Sequence, residues 1–247
     1  MVFRSDMKVK LVDYHGDDLL VVNAARASFA KRSQWCYEEG QGWVVDYEDG
    51  EIVYLREVDN LKALCEKDKR LVRYLAKHNH WTPFGHPHVT FNFEIPVFVA
   101  RQLMRHNVGI VWNEASRRYI TIEPQVYWPK EWRSKPEGNI KQGSGAPMEL
   151  DFKTEDIIKG LVKEVVAWYN ELVEEGVAPE VARSILPVGH YTYIYGTGSL
   201  YAWFRVWKLR ADNHAQKEIQ EVAEQIDDFM SVLYPVCWEA LKEYQGN

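Results

Sequence analysis

A helix-rich α+β fold, one domain around a small sheet, is what the sequence predicts, and three observations predict it. His88–Glu94 alternates Val89, Phe91 and Phe93 against His88, Thr90 and Asn92, the period of a half-buried strand. A later segment carries Ile157, Ile158, Leu161, Val162, Val165, Trp168, Tyr169 and Leu172 at helical spacing. Strand and helix patterns do not alternate in the order that a parallel sheet needs. The chain's 247 residues, 46% apolar and including ten Trp, suffice for one sizeable core.

Taken in order, Lys8–Tyr14 reads as a short strand. Asp17 and Asp18 then precede Leu19, Leu20, Val22 and Ala25, a capped helix running to about Phe29. Residues 33–58 read as a hairpin-like insertion, because Trp43-Val-Val and Ile52-Val-Tyr flank the turn signal Asp49-Gly50. Leu61, Leu64, Leu71, Val72 and Leu75 mark helical surfaces ending near His78, and Val97–Met104 reads as a helix after Pro96. Pro129–Pro147, rich in Pro, Gly, Lys and Ser, reads as a long loop of the kind that often serves function. Thr154 is the expected cap of the long amphipathic helix and Gly176 its end. Pro179 opens a short helix that stops before Pro187. Ser199–Leu209 and His214–Leu233 read as helices, and Pro235 introduces a last one.

The charge balance narrows the function. A net charge of -6 and a pI of about 5.8 repel polyanions, so an extended nucleic-acid groove is not expected. Any phosphate site must be local. No apolar run is long enough to span a bilayer, and the N-terminus lacks the layout of a signal peptide. Cys36, Cys65 and Cys237 are odd in number and form no Cys-x-x-Cys pair; they read as reduced thiols of a cytoplasmic protein.

The local cluster is Arg101–Tyr119, with four arginines, His106, Glu114 and Ser116. Guanidinium forks match phosphate oxygens, so the cluster points to a phosphorylated ligand; the alternative is a solvated helix face. Arg117 and Arg118 sit beside Ser116, which reads as a hydrogen-bond donor to phosphate because the elbow pattern of a serine nucleophile is absent. No Walker loop and no Gly-x-Gly-x-x-Gly occurs. His78, His80, His86 and His88 could ligate a metal if they met in space, but no carboxylate lies between them and helix-end roles explain them as well. No metal is expected. Arg183 interrupts an apolar helix, as a buried paired Arg or a ligand contact. Arg210 ends a helix just before Asp212, as an ion pair with it or as a catalytic cation held by it.

Six stretches in order resemble the flavin-dependent thymidylate synthase family: Asn23–Phe29, Tyr74–His86, Pro96–Gln102, Asn113–Tyr119, Val181–Pro187 and Leu209–Gln216. Lys141-Gln-Gly-Ser144 is similar to a loop of many members. The resemblance implies a helix-rich α+β domain forming a homotetramer with active sites between subunits. It implies FAD, with NADPH as reductant and methylenetetrahydrofolate as one-carbon donor, for the reductive methylation of dUMP to dTMP without covalent attack by the enzyme. By position, Gln102, Arg105, Glu114, Ser116, Arg117, Arg118 and Arg183 would hold a pyrimidine deoxynucleotide monophosphate. Arg210 would face the uracil edge as the catalytic cation. His80, Thr82, Arg105, His106, Asn107, Glu114, Ser199, Tyr201 and Arg205 would contact the flavin side.

The chain departs from the family pattern on that side. The signature Arg-His-Arg reads Arg105-His106-Asn107, and the eight-residue gap to Ser116 is one longer than the family's. The usual Asn-Ala-Arg-Ser reads Gly198-Ser-Leu-Tyr201, with Arg205 where a neutral residue is common. These changes leave open a related methylation or hydroxymethylation of another pyrimidine nucleotide such as dCMP.

Overall fold

The computed structural model describes residues 3–48, 51–120, 122–136 and 143–246, with the backbone alone for 37–48 and 51–61. β1 (Phe3–Arg4) and β2 (Lys8–His15) lead to α1 (Asp18–Ala27), whose Leu20 N–H is capped by the Asp17 carboxylate. β3 (Cys36–Glu48) and β4 (Glu51–Ala63) form an antiparallel hairpin before α2 (Glu66–Lys77). The Asp49-Gly50 turn lies outside the described residues. β5 (His88–Pro96) runs into α3 (Val97–Leu103), then come β6 (Ile110–Glu114), β7 (Val126–Tyr127), β8 (Trp132–Arg133) and β9 (Pro147–Met148). The remainder is α4 (Phe152–Glu174), α5 (Pro179–Ala182), β10 (Tyr191–Ser199), α6 (Leu200–Arg210), α7 (Lys217–Leu233) and α8 (Pro235–Gln245).

The main sheet has the order β2-β5-β10-β6, antiparallel throughout. β5 turns Val89, Phe91, Phe93 and Ile95 into the core, all fully buried. Each such side chain contributes about 1.5–3 kcal/mol by leaving water. Helices cover this face: Trp203 of α6 packs edge-on to Phe91 at 5.0 Å and donates its indole N–H to the Val89 carbonyl. Phe229 of α7 packs against Phe91 with ring centres 5.6 Å apart and the planes tilted by 47°. A smaller cluster under α4 gathers Val126, Val166, Tyr169, Ala182 and Leu186.

Several expectations are corrected. β10, inside the sheet, was not foreseen: the segment before Ser199 drew no expectation, and glycines such as Gly196 and Gly198 are uncommon inside strands. Gly196 is there for packing: a Cβ would collide with the Trp112 indole of β6. Leu61 belongs to β4, not to a helix, and the paired segment runs Cys36–Ala63 rather than 33–58. The cap of α4 is Asp151, which accepts from the Thr154 N–H. Part of α4's apolar stripe faces outward: Ile157, Leu161 and Trp168 are each more than half exposed, while Tyr169 is buried. α7 starts at Lys217, because Asp212–Ala215 forms a turn instead of a first helical turn. The 129–147 segment carries the β8–β9 ladder; of the Lys141-Gln-Gly-Ser stretch, 141 and 142 lie outside the described residues. Cys36 and Cys65 are not free thiols but a disulfide, with Cα atoms 5.5 Å apart. The hairpin returns its own start to its end, which a separation of 29 residues conceals. Cys237 is free and buried. No helix among the described residues is long and apolar enough to cross a membrane.

Candidate active site

The site residues fall into three groups along β6, β10 and the helices at their ends. The first is an open groove of about 700 Å³, within the range of small-molecule sites. Arg101 of α3, Arg117 and Arg183 line it, with Glu114, Ser116 and His190. Glu114 ends β6 and accepts from the Thr192 hydroxyl of β10 at 2.9 Å, which fixes that carboxylate at the rim. The chain then turns, with Tyr119 N–H bonded to the Ser116 carbonyl. Arg117 spends one donor on the Ile122 carbonyl at 2.9 Å, while its buried Nε has no protein partner among the described residues. Burial, then the charges of Arg117 and Arg101, lower the His190 imidazole below its usual range, against the effect of its contact with the Pro187 carbonyl. Three guanidiniums around two acids, Glu114 and Glu180, give the groove a lining that suits an anion.

The second group is a clamp. Arg210, the last residue of α6, donates from Nε to His106 Nε2 at 3.0 Å and from Nη2 to the Gln102 carbonyl at 3.1 Å. The His106 carbonyl in turn accepts from the Trp112 indole at 3.1 Å. Burial, then the positive charges of Arg210 and Arg205, push the His106 imidazole down to about 4. It is therefore neutral at pH 7, with Nε2 as the acceptor. Burial and the neighbouring Arg105 also lower Arg210 from its ordinary value. The expected Arg210–Asp212 pair does not form. Asp212 instead accepts from the His214 backbone N–H at 2.7 Å, because the turn after α6 aims it at its own loop.

The third group is a pocket of about 290 Å³ at the start of α6. Trp81, beside Thr82, lies 5.9 Å from the Tyr201 ring, and Arg205 adds a cation to an otherwise apolar lining with Val108 and Ala202. Ser199 Oγ accepts from Ala202 N–H and so caps α6. An exposed turn follows Asn107, where Gly109 has φ +82°.

Other expected residues lie apart from these groups. Arg118 turns back to the Ser116 hydroxyl at 3.2 Å and over Tyr119, and does not line the groove. His80 meets His78 and Tyr74 in an exposed aromatic group, and among the described residues no third metal-ligand side chain joins the two histidines. The groove meets β10 at Thr192 and the pocket meets it at Ser199, so the two are about 20 Å apart along the strand. Arg101, His190, Thr192 and Trp81 were missed. Arg101 and Trp81 lay inside recognised stretches without a role, while His190 and Thr192 belong to a segment with no pattern.

Comparison with known proteins bears on the family. The family model described as thymidylate synthase complementing protein matches residues 10–236. The flavin-dependent thymidylate synthase of Wolbachia pipientis wMel is 34% identical over 240 residues, 96% of this chain and 74% of that protein. The enzyme of the same name from Thermosipho africanus is 35% identical over 242 residues, 97% of this chain and 93% of that one. Among solved structures, a UMP/dUMP methylase, PolB from Streptomyces cacaoi bound with 5-Br dUMP, superposes with a TM-score of 0.76 at 28% identity, covering 100% of this chain and 99% of that one. With matches this long on both sides, the chain belongs to the flavin-dependent thymidylate synthase family.

Proposed function

We propose that the protein methylates dUMP reductively to dTMP, with FAD as bound cofactor, NADPH as reductant and methylenetetrahydrofolate as one-carbon donor. The observation that carries this reading is the Arg210 clamp. Two of the five guanidinium donors are fixed by His106 and Gln102, so the remaining donors keep a set direction. A cation held this way stabilises negative charge as it develops on the carbonyl and N3 edge of a pyrimidine ring. Ser116, Arg117 and Arg183 bind the nucleotide phosphate in the groove, with Arg118 reaching it through Ser116 or after reorientation. Gln102, Arg105 and Glu114 orient the nucleotide. The names of the relatives and of the methylase neighbour support this choice.

The residues present suit a flavin. Trp81 and Tyr201 offer aromatic faces and Arg205 a cation, which fits a ring system carrying a diphosphate. His80, Thr82, Arg105, His106, Asn107, Glu114, Ser199, Tyr201 and Arg205 would hold it, and when bound it supplies the hydride. Groove and pocket stand at opposite ends of β10, so a site that uses both is completed by a second copy. We therefore read the active form as a symmetric homo-oligomer, a tetramer by family likeness.

The test is product analysis with FAD, NADPH and methylenetetrahydrofolate, and dUMP, UMP or dCMP in separate reactions. Formation of dTMP from dUMP supports the reading. Turnover confined to UMP or dCMP, or a hydroxymethyl product, overturns the substrate or outcome assigned. Failure of the purified protein to bind FAD overturns the flavoenzyme reading itself.

A further inference from the structure

Gln102 is held from two directions. Its backbone carbonyl accepts from Arg210, and its side-chain Nε2 donates to Gln216 Oε1 at 2.6 Å. Gln216 precedes α7, and its carbonyl accepts from Ile219 and Gln220 at 3.1 Å each, so its place depends on the first turn of that helix. That turn contains Glu218, only 3% exposed. The Glu218 carboxylate is gripped by Arg133 of β8 and by the Tyr127 hydroxyl of β7 at 3.0 Å. Tyr127 also packs against Phe98 of α3, about one turn before Gln102 on the same helix. Burial alone would raise the Glu218 carboxyl. Its hydrogen bonds, with Arg133 the largest, outweigh burial and hold it below the usual range.

Arg133 belongs to the β8–β9 ladder, not to the body of the domain. The ladder is closed by backbone bonds between Ser134 and both Gly145 and Ala146. Beyond it, Gly143 approaches the His214 carbonyl, in the turn that follows Arg210. The same segment thus meets both the α6–α7 connection, at His214, and the first turn of α7, at Glu218.

We propose that Arg133 and Glu218 are positioning residues for Arg210: by fixing the first turn of α7 they fix Gln216, through it Gln102, and through Gln102 the guanidinium. The ion pair lies outside the three groups of site residues and touches no substrate surface identified above. The inference rests on the reading of Arg210 as the reacting cation, and its test is arranged so that the two fail separately.

The decisive readout is the His106 imidazole titration, followed by NMR in the FAD-loaded oligomer, because His106 senses where Arg210 lies whether or not turnover occurs. In Arg133→Ala, Arg210 drifts and the His106 pKa rises above that of the unmutated protein, because the Arg210 charge is the second cause, after burial, of its lowering. In parallel, kcat for the nucleotide falls about 10- to 100-fold while FAD stays bound. Arg133→Lys recovers most of both effects. Since loss of a buried partner can unfold the turn, Gln216→Ala is the second variant. It cuts the link to Gln102 and leaves the Arg133 and Tyr127 bonds to the buried carboxylate in place, and it gives the same His106 shift at a smaller cost in Tm than Arg133→Ala. An unchanged His106 titration in Gln216→Ala, or a Tm loss in Arg133→Ala with titration and kcat intact, overturns the proposal. Loss of dTMP formation by the unmutated protein would instead overturn the functional reading and leave the titration result standing.

Discussion

The Nε of Arg210 donates to the Nε2 of His106 at 3.0 Å, so a permanent cation rests against the unprotonated edge of an imidazole. The contact exists only while His106 is neutral. Its burial and the charges of Arg210 and Arg205 keep it neutral down to about pH 4.

A pH dependence follows. His106 has a folded pKa of about 4 against an ordinary 6.5. Below pH 6.5 the unfolded chain takes up a proton that the folded chain refuses. This group's contribution to stability is therefore complete above 6.5, declines as pH falls, and is gone below about 4. Denaturant titrations between pH 7 and 4 should show the decline, and Arg210→Ala should flatten it by letting the His106 pKa rise. A stability profile that is flat in the unmutated protein contradicts the assignment.

Arg183 should carry phosphate affinity. Arg183→Ala should weaken dUMP binding by about 1.5–3 kcal/mol, the range for a charge-assisted hydrogen bond. Arg183→Lys should restore only part of it, because an ammonium lacks the two-pronged fork. Calorimetry with dUMP and deoxyuridine checks both: equal affinity for nucleotide and nucleoside in the unmutated protein would remove phosphate from the groove.

Asn107 and Arg205 should be interchangeable sources of charge on the flavin side. Arg205→Ala should weaken FAD binding by about 1.5–3 kcal/mol, and adding Asn107→Arg should recover much of the loss. If Asn107→Arg tightens binding equally with and without Arg205, the two positions act independently and Arg205 is not the compensating cation.

The disulfide should stabilise the fold without touching the site. It closes a 29-residue separation at the base of the hairpin, for which the chain-entropy model gives about 3–4 kcal/mol. Cys36→Ser or reduction should lower the unfolding free energy by about that amount, read from denaturant titrations, and leave dUMP affinity unchanged. A loss of nucleotide binding on reduction would mean that the hairpin reaches the site.

Much of this was legible before the structure. Period-two alternation marked β5, and caps or breakers marked α1, α5, α6 and α8, because those signals are local. β10 was not legible, since Gly196 exists to admit Trp112, a contact between segments 84 residues apart only in the sheet. The arginine-rich segment does line a groove, yet Arg118 turned away from it and Arg101 into it. Side-chain direction there depends on where α3 stops, at Leu103, and the sequence does not mark that end with a glycine or proline. Arg210 was singled out, but its partner was read as Asp212 from adjacency. The true partners, His106 and Gln102, are 104 and 108 residues away.

The central claim is that Arg210 polarises the pyrimidine, and Arg210→Ala tests it most directly. The measurement is paired: FAD content with NADPH oxidation on one side, dTMP formation from dUMP on the other. The account predicts bound FAD, continuing NADPH oxidation, and nucleotide turnover reduced by orders of magnitude, as for loss of a preorganised charge-stabilising donor. If dTMP formation persists near the unmutated rate and only thermal stability falls, Arg210 is a structural residue and the mechanism is wrong.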